Sequence, residues 1–255
     1  MSKVKDRLPE ALLEMHYHHA LRAAYRERLG TENFRIFKPS AREEAWYGFD
    51  QGFFRSQTEV PAAMDSLRHA LHFSDRLDNF ELRAFFLQFK VVQHLKRRSY
   101  LAPEGWQAPY YRTSLSLEPN EKTGLSQHET LRRVAQIQGA EVSYVCPMVF
   151  DYDDIIKEPD LADLRFVDAR SAPDDWLQDE KHFLCFQTPC SEPVWASKPV
   201  PAKSKSFGDL FDNLHVFSLE KMEGFLSEVR AACSPGVSAS PLPESLLVIA
   251  SDPYA

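Results

Sequence analysis

The chain has 255 residues and a formal net charge of −7, which argues against a protein covered in basic charge but leaves room for a local basic groove. Hydrophobic residues make up 44% and charged residues 26% of the sequence, as in an ordinary globular protein. A chain of this length buries enough surface to fold without disulfide or metal staples.

The cysteines and the N-terminal stretch bear on the compartment. Cys146, Cys185, Cys190 and Cys233 form no CxxC pair, which argues against a zinc ribbon and predicts free thiols in a reducing environment. The stretch MSKVKDRLPEALLEMHYHH lacks the apolar run of a secretory signal. No stretch approaches the roughly 18 apolar residues that a membrane span needs. We therefore expect a cytoplasmic protein with no membrane partner.

The first predicted element is a helix from Pro9 to Leu29, closed by Gly30. Two stripes on this helix have helical spacing. The more apolar stripe contains Leu12, Met15, His19 and Ala23. The mixed stripe contains Glu10, Glu14, Tyr17, His18 and Leu21.

Strand-like segments follow the helix. The pattern predicts strands over Phe34–Lys38 and Ala45–Phe54, and it resumes over Phe80–Val92. The more polar segment Ser56–Asn79, with a short helical pattern, is predicted to be an insertion between these strands.

The strongest helix signal in the chain covers Gln127–Gln138. Ser126 and Glu129 have the spacing of a capping box, and Gly139 ends the helix. The apolar stretch AEVSYVCPMVF then predicts a buried strand.

The remaining segments complete a mixed α/β or α+β protein, with a central mixed sheet flanked by helices. APYYRTSLSLE, LRFVDAR and KHFLCFQTP predict strands, and DYDDIIKEPDLADL is predicted to be partly helical. A last helix is predicted over Ser218–Cys233. The expected organisation is a main domain of residues 1–192, a Pro/Ser/Lys-rich loop over 193–206, and a C-terminal helix and tail over 207–255 packed on the same domain.

The stretch FFLQFK places two polar side chains in an otherwise apolar strand. Because side chains alternate between faces, Gln88 and Lys90 point the same way. Asp50 lies in another strand-like stretch, flanked on its own face by Gly48 and Gly52, which suggests a close approach to the backbone there. If the two strands are neighbours, these three polar side chains converge.

A carboxylate, an amide oxygen and a lysine have complementary chemistry at such a point. Oxygen ligands suit Mg²⁺ or Mn²⁺, so Asp50, Gln88 and the backbone carbonyl of Phe89 are candidate ligands. Lys90 would orient an attacking water and offset developing phosphate charge. Glu14 on the first helix is the candidate for a further carboxylate, and Glu10 competes with it for that role.

An aspartate and a QxK sequence on neighbouring strands, after a helix with a glutamate, resemble the PD-(D/E)XK, or restriction-endonuclease-like, nuclease superfamily. In this sequence the matching residues are Glu14, Asp50 in YGFD, and Gln88-Phe89-Lys90, and the resemblance covers residues 8 to 150. It implies a restriction-endonuclease-like core and a Mg²⁺- or Mn²⁺-dependent nuclease acting on DNA or RNA. It also implies that Asp50, Gln88, Lys90 and Glu14 are catalytic, in a restriction, defence or repair setting.

The sequence departs from the family pattern at two positions. Phe49 stands where the family has a proline before the aspartate, and Gln88 stands where it has an acidic residue. These departures keep a second hypothesis open, a degenerate nuclease-like subunit that binds nucleic acid or protein. An interaction protein with no nucleic-acid role is a third, and a homodimer or a protein partner is compatible with each.

Seven further residues are candidates for contact with nucleic acid, because cations near aromatic rings suit a phosphate backbone with exposed bases. Five of the seven are cations, and a solvated charged face explains their positions equally well. They are Lys38, Arg42, Arg97, Arg98 and Arg112. Gln127 and His128 lie in the first turn of the capped helix, where an anion is favoured, although simple capping also accounts for them.

Overall fold

The structure is a computed structural model whose longest described stretches are residues 85–119 and 124–173. The described residues are 8–29, 34–37, 52–55, 81–83, 85–119, 124–173, 182–196, 199–212, 221, 224–225, 228–229, 231–232 and 249–251.

Four helices have defined bounds within these residues. They are α1 (Glu10–Leu29), α2 (Gln127–Ala135), α3 (Tyr152–Ile155) and α4 (Phe207–Asp212). Two 3-10 turns, Leu161–Asp163 and Ala169–Ser171, precede and follow a strand. The described residues between 221 and 232 are also helical, within the predicted C-terminal helix.

The strands are short. In chain order they are β1 (Phe34–Phe37), β2 (Gly52–Arg55), β3 (Glu81–Arg83), β4 (Phe85–Phe89), β5 (Gln93–Leu95), β6 (Tyr110–Ser114), β7 (Glu141–Pro147), β8 (Leu164–Asp168), β9 (Phe183–Phe186), β10 (Val194–Trp195), β11 (Val200–Pro201), β12 (Ser204–Lys205) and β13 (Ile249–Ser251).

The helices and these strands together confirm the predicted mixed α+β content. One sheet has the order β12-β8-β7-β4, and a five-stranded antiparallel sheet has the order β11-β10-β9-β6-β5. Two-stranded antiparallel pairs join β1 to β2 and β3 to β13. In the chain, α2 lies between β4 and β7, which are neighbours in the four-stranded sheet.

The chain divides into two compact units. The first unit contains the described residues within Met1–Leu21, Phe89–Leu117 and Ser143–Leu210. The second unit contains those within Arg22–Gln88, Glu118–Val142 and Phe211–Ala255.

The core of the first unit is aromatic. Tyr144 of β7 and Trp195 of β10 meet edge to face, with ring centroids 6.2 Å apart, and both are at most 1% exposed. Such contacts stabilise beyond the area they bury. They fix β7 against the five-stranded sheet of the same unit.

In the second unit, the predicted capped helix is confirmed. Ser126 Oγ accepts a hydrogen bond from the Glu129 N–H at 3.1 Å, which satisfies one of the amides left open at the start of α2. The helix ends at Ala135, three residues before the predicted end, and Gly139 has a positive φ of 85° in the turn that follows.

The structure decides between the two stripes of α1 and corrects one loop prediction. On α1, Met15 is 72% exposed and His19 is exposed, whereas Tyr17 and Leu21 are fully buried, so the mixed stripe faces the core. The segment expected to be a loop over 193–206 contains β10, β11 and β12, which extend both larger sheets.

Candidate functional site

Lys90 lies immediately after β4, in the first unit. Its backbone N–H donates to the Val145 carbonyl at 2.8 Å, which holds this residue beside β7. The Lys90 side chain is only 7% exposed. A buried ammonium is costly unless carboxylates or other acceptors surround it, so its neighbours decide what it does.

A carboxylate partner of Lys90 comes from α1. Lys90 Nζ donates to Glu10 Oε1 at 3.4 Å, and the Glu10 side chain is 39% exposed. The pair therefore joins a buried cation to a carboxylate that water also reaches. Glu10, the competing candidate on the predicted helix, thus contacts the lysine.

Glu14 lies one turn further along α1 and is 5% exposed. Residues four apart lie on one helix face, so α1 directs Glu10 and Glu14 the same way. The adjacent Leu13 and Tyr17 are fully buried, and they anchor this face of the helix. The first unit thus contains a glutamate pair on one helix face and a buried lysine, and we call Glu10, Glu14 and Lys90 the acid–lysine cluster.

Cys146 of β7 is a member of this neighbourhood that the sequence patterns did not single out. Burial raises the pKa of its thiol to about 12, the Lys90 charge acts to lower this pKa and the Glu10 charge acts to raise it. The thiol is therefore protonated and inert at neutral pH. Its only sequence signal is its position in a continuous apolar strand.

Further along α1, the Tyr17 hydroxyl is buried and has no hydrogen-bond partner among the described residues. Burial raises the pKa of this phenol, and the nearby charges of Asp163, Asp160 and Asp154 raise it further. Burial lowers the pKa of the adjacent His16, against the opposing effect of Asp163. Both shifts favour the neutral side chains at pH 7.

In the second unit, Gln88 is fully buried on β4. Its Oε1 accepts a hydrogen bond from Gln127 Nε2 at 2.7 Å, at the first position of α2. Gln127, which the sequence assigned to nucleic acid, therefore contacts another glutamine of its own unit. This bond fixes the rotamer of Gln88, and its amide oxygen already accepts a hydrogen bond.

Asp50 lies outside the described residues, and β2 begins two positions after it. Phe89 is fully buried at the end of β4. Within the described part of the chain, no three His, Cys, Asp or Glu side chains lie close enough to hold a metal ion. Mg²⁺ keeps several waters and commonly uses only one or two protein carboxylates, and Glu14 is a described carboxylate of this kind, so the metal site stays a prediction.

The predicted basic contacts have different environments. Arg97 and Arg98 are exposed after β5, whereas the Arg112 guanidinium lies 4.4 Å from the centroid of the Phe183 ring. His128 is 5% exposed on α2. Lys38 and Arg42 lie outside the described residues. Contact of these residues with nucleic acid stays a prediction.

Comparisons of the chain with protein-family models, curated proteins and solved structures returned no match. None of the helices among the described residues is long and apolar enough to span a bilayer.

Proposed function

We propose that this chain is a Mg²⁺- or Mn²⁺-dependent nuclease that hydrolyses phosphodiester bonds in nucleic acid, with DNA as the first candidate substrate. The observation that carries the proposal is the buried Lys90, placed at the end of a QxK strand and paired with a glutamate of α1. A buried ionisable group with a specific charge partner is a candidate functional site.

The order of elements supports a restriction-endonuclease-like core for this activity. A glutamate-bearing helix, a strand pair, the QxK strand, a capped helix and a further strand occur in this chain order as α1, β1–β2, β4, α2 and β7, with β3 before β4 and with β5 and β6 between β4 and α2. The strands β4 and β7, which precede and follow the capped helix in the chain, are neighbours in their sheet.

In the proposed mechanism, Lys90 orients the attacking water and stabilises the charge that develops on the phosphate. Glu10 sets the direction of the ammonium through the 3.4 Å contact. The ligands proposed from the sequence resemblance alone are Glu14, Asp50, the Gln88 amide oxygen and the Phe89 carbonyl. A bound Mg²⁺ would supply Lewis-acid stabilisation of the same phosphate charge.

The second candidate function is a catalytically degenerate subunit that binds nucleic acid or a protein partner. The observation that favours it is the Gln88–Gln127 hydrogen bond, because the oxygen proposed as a ligand is neutral and already accepts a donor. This hypothesis predicts binding of nucleic acid or of a partner without cleavage.

The deciding experiment measures cleavage of linear, circular and single-stranded DNA and of RNA, with Mg²⁺ and then Mn²⁺. Lys90→Met keeps the side-chain length and removes the charge, so we expect cleavage to fall by at least about 100-fold. The matched control is Lys157→Met, since Lys157 is a 70% exposed lysine that also pairs with a carboxylate in the first unit.

Glu14→Gln and Asp50→Asn should also lose cleavage, while a thermal melt of each variant checks that it is folded. Cleavage by Lys90→Met at the wild-type rate would overturn the nuclease proposal. Binding of nucleic acid by a wild-type protein that cuts no substrate would instead select the degenerate subunit.

A further inference from the structure

A row of stacked rings lies at the edge of the five-stranded sheet. His94 of β5 is opposite Tyr111 of β6 in the register, and their rings stack with centroids 4.8 Å apart and planes inclined by 17°. Phe150 extends the row, with its centroid 5.0 Å from Tyr111 and 5.8 Å from His94. These three residues belong to the first unit and form what we call the ring row.

The ring row reaches the surface at His94, which is exposed, whereas Tyr111 and Phe150 are partly buried. β5 is the last strand in the order of its sheet, so the row ends at the sheet edge. Tyr100 is 91% exposed only six residues further along the chain. Two exposed aromatic side chains thus flank one short segment.

The segment between them is basic. Lys96, Arg97 and Arg98 are consecutive and all exposed, in a chain whose net charge is −7. Six residues span at most about 20 Å when extended, so the cations lie within a few nucleotides' reach of both rings. We call His94, Lys96, Arg97, Arg98 and Tyr100 the basic–aromatic edge.

We propose that the basic–aromatic edge binds single-stranded nucleic acid, with bases stacking on His94 and Tyr100 and phosphates contacting the three cations between them. Flat rings beside a line of cations match the π-faces and the backbone of an unpaired strand. A duplex hides the faces of its bases, so only its phosphates would engage this segment. The inference rests on the proposed nuclease function, for which it names single strands or frayed ends as the substrate class.

The test is equilibrium binding of fluorescent single-stranded DNA, single-stranded RNA and duplex DNA to the full chain, with a chelator present so that nothing is cut. We expect wild-type protein to bind single strands more tightly than duplex. The Lys96→Ala/Arg97→Ala/Arg98→Ala variant should bind more weakly, and its slope of log affinity against log salt should fall by about 2.

Tyr100→Ala and His94→Ala should each weaken single-strand binding by about fivefold or more, with little effect on duplex. The controls are Lys157→Ala for charge and Tyr152→Ala for an exposed ring, since Tyr152 is 49% exposed in the same unit. Tyr100 is so exposed that its replacement leaves folding intact, which keeps the test valid if His94→Ala is unstable.

Equal binding by wild type and Tyr100→Ala, or a preference for duplex, overturns this inference. Loss of cleavage in Lys90→Met together with unchanged binding by the edge variants would retain the nuclease and remove the edge. Edge-dependent binding by a wild type that cuts nothing would retain the edge and remove the nuclease.

Discussion

Two lysine–carboxylate pairs of the first unit differ in distance and in burial, in opposite directions. Lys157 Nζ is 2.6 Å from Asp154 Oδ1, but the lysine side chain is 70% exposed. Lys90 Nζ is 3.4 Å from Glu10 Oε1, and its side chain is 7% exposed. Because water screens the closer pair, the shorter distance does not mean a stronger contribution to stability.

The two pairs also differ in how far apart their residues lie in the chain. Lys157 and Asp154 are three residues apart, and the hydrogen bond between them lowers the pKa of the Asp154 carboxyl. Lys90 and Glu10 are 80 residues apart, so the fold has to bring them together. The exposed pair is a local contact at a helix end, whereas the buried pair forms only when the tertiary structure forms.

The largest stability effect should come from Glu10→Gln. Removing the carboxylate leaves the Lys90 ammonium buried with less compensation, and we expect a loss of about 1–3 kcal/mol in the free energy of unfolding, reduced from the fully buried case because Glu10 is 39% exposed. Lys90→Met removes the desolvated charge itself and should be nearly neutral. Urea unfolding of both variants measures this asymmetry.

Asp154→Asn is the matched control, because it removes the carboxylate of the exposed pair. Its unfolding midpoint should stay close to that of the wild type. A Glu10→Gln midpoint equal to that of Asp154→Asn would show that the two pairs are energetically alike and that burial of Lys90 has no consequence.

Cysteines extend the comparison of buried and exposed groups to pH. Burial raises the pKa of the Cys146 thiol from 9.0 to about 12. Burial is also the main cause that raises the pKa of the Cys185 thiol to about 12. The folded state therefore keeps protons that the unfolded state releases. This contribution is complete below pH 9 and is lost as the pH rises from 9 to 12.

Cys146→Ala should make the alkaline loss of stability smaller by about 1 kcal/mol between pH 8 and pH 10, since one of the two buried thiols is removed. Urea unfolding at both pH values gives this difference, whatever the variant costs at pH 8. Cys190→Ala is the control, because Cys190 is exposed. An identical pH dependence in the two variants would contradict a buried, protonated Cys146.

Some of this arrangement could be predicted from local sequence. The Ser126 cap marked the start of α2, because this signal depends on neighbouring residues, whereas the shared face of Gln88 and Lys90 stays a prediction. The contact of Glu10 with Lys90 could not be predicted in this way, since no local pattern reports a partner 80 residues away.

The buried face of α1 shows where periodicity fails. Its two stripes share the same period, and the stripe with Met15 looked more apolar than the stripe with Tyr17 and Leu21. The structure buries the second stripe, because packing partners rather than composition decide which face is covered. The two-residue strands β10 and β11 were missed because so short a segment carries no readable alternation.

The smallest effect should separate the two candidate functions at Gln88. Gln88→Glu puts a carboxylate at a fully buried position, where the Gln127 amide can still donate to it. Without metal the buried charge should lower the melting temperature, whereas Mg²⁺ should raise that temperature more than it does for wild type. A threefold gain in affinity is worth up to about 0.6 kcal/mol at saturating metal.

Gln107→Glu, at an exposed position, is the control. An equal Mg²⁺ shift in both variants would mean that Gln88 does not face a metal, which favours the degenerate subunit over the nuclease.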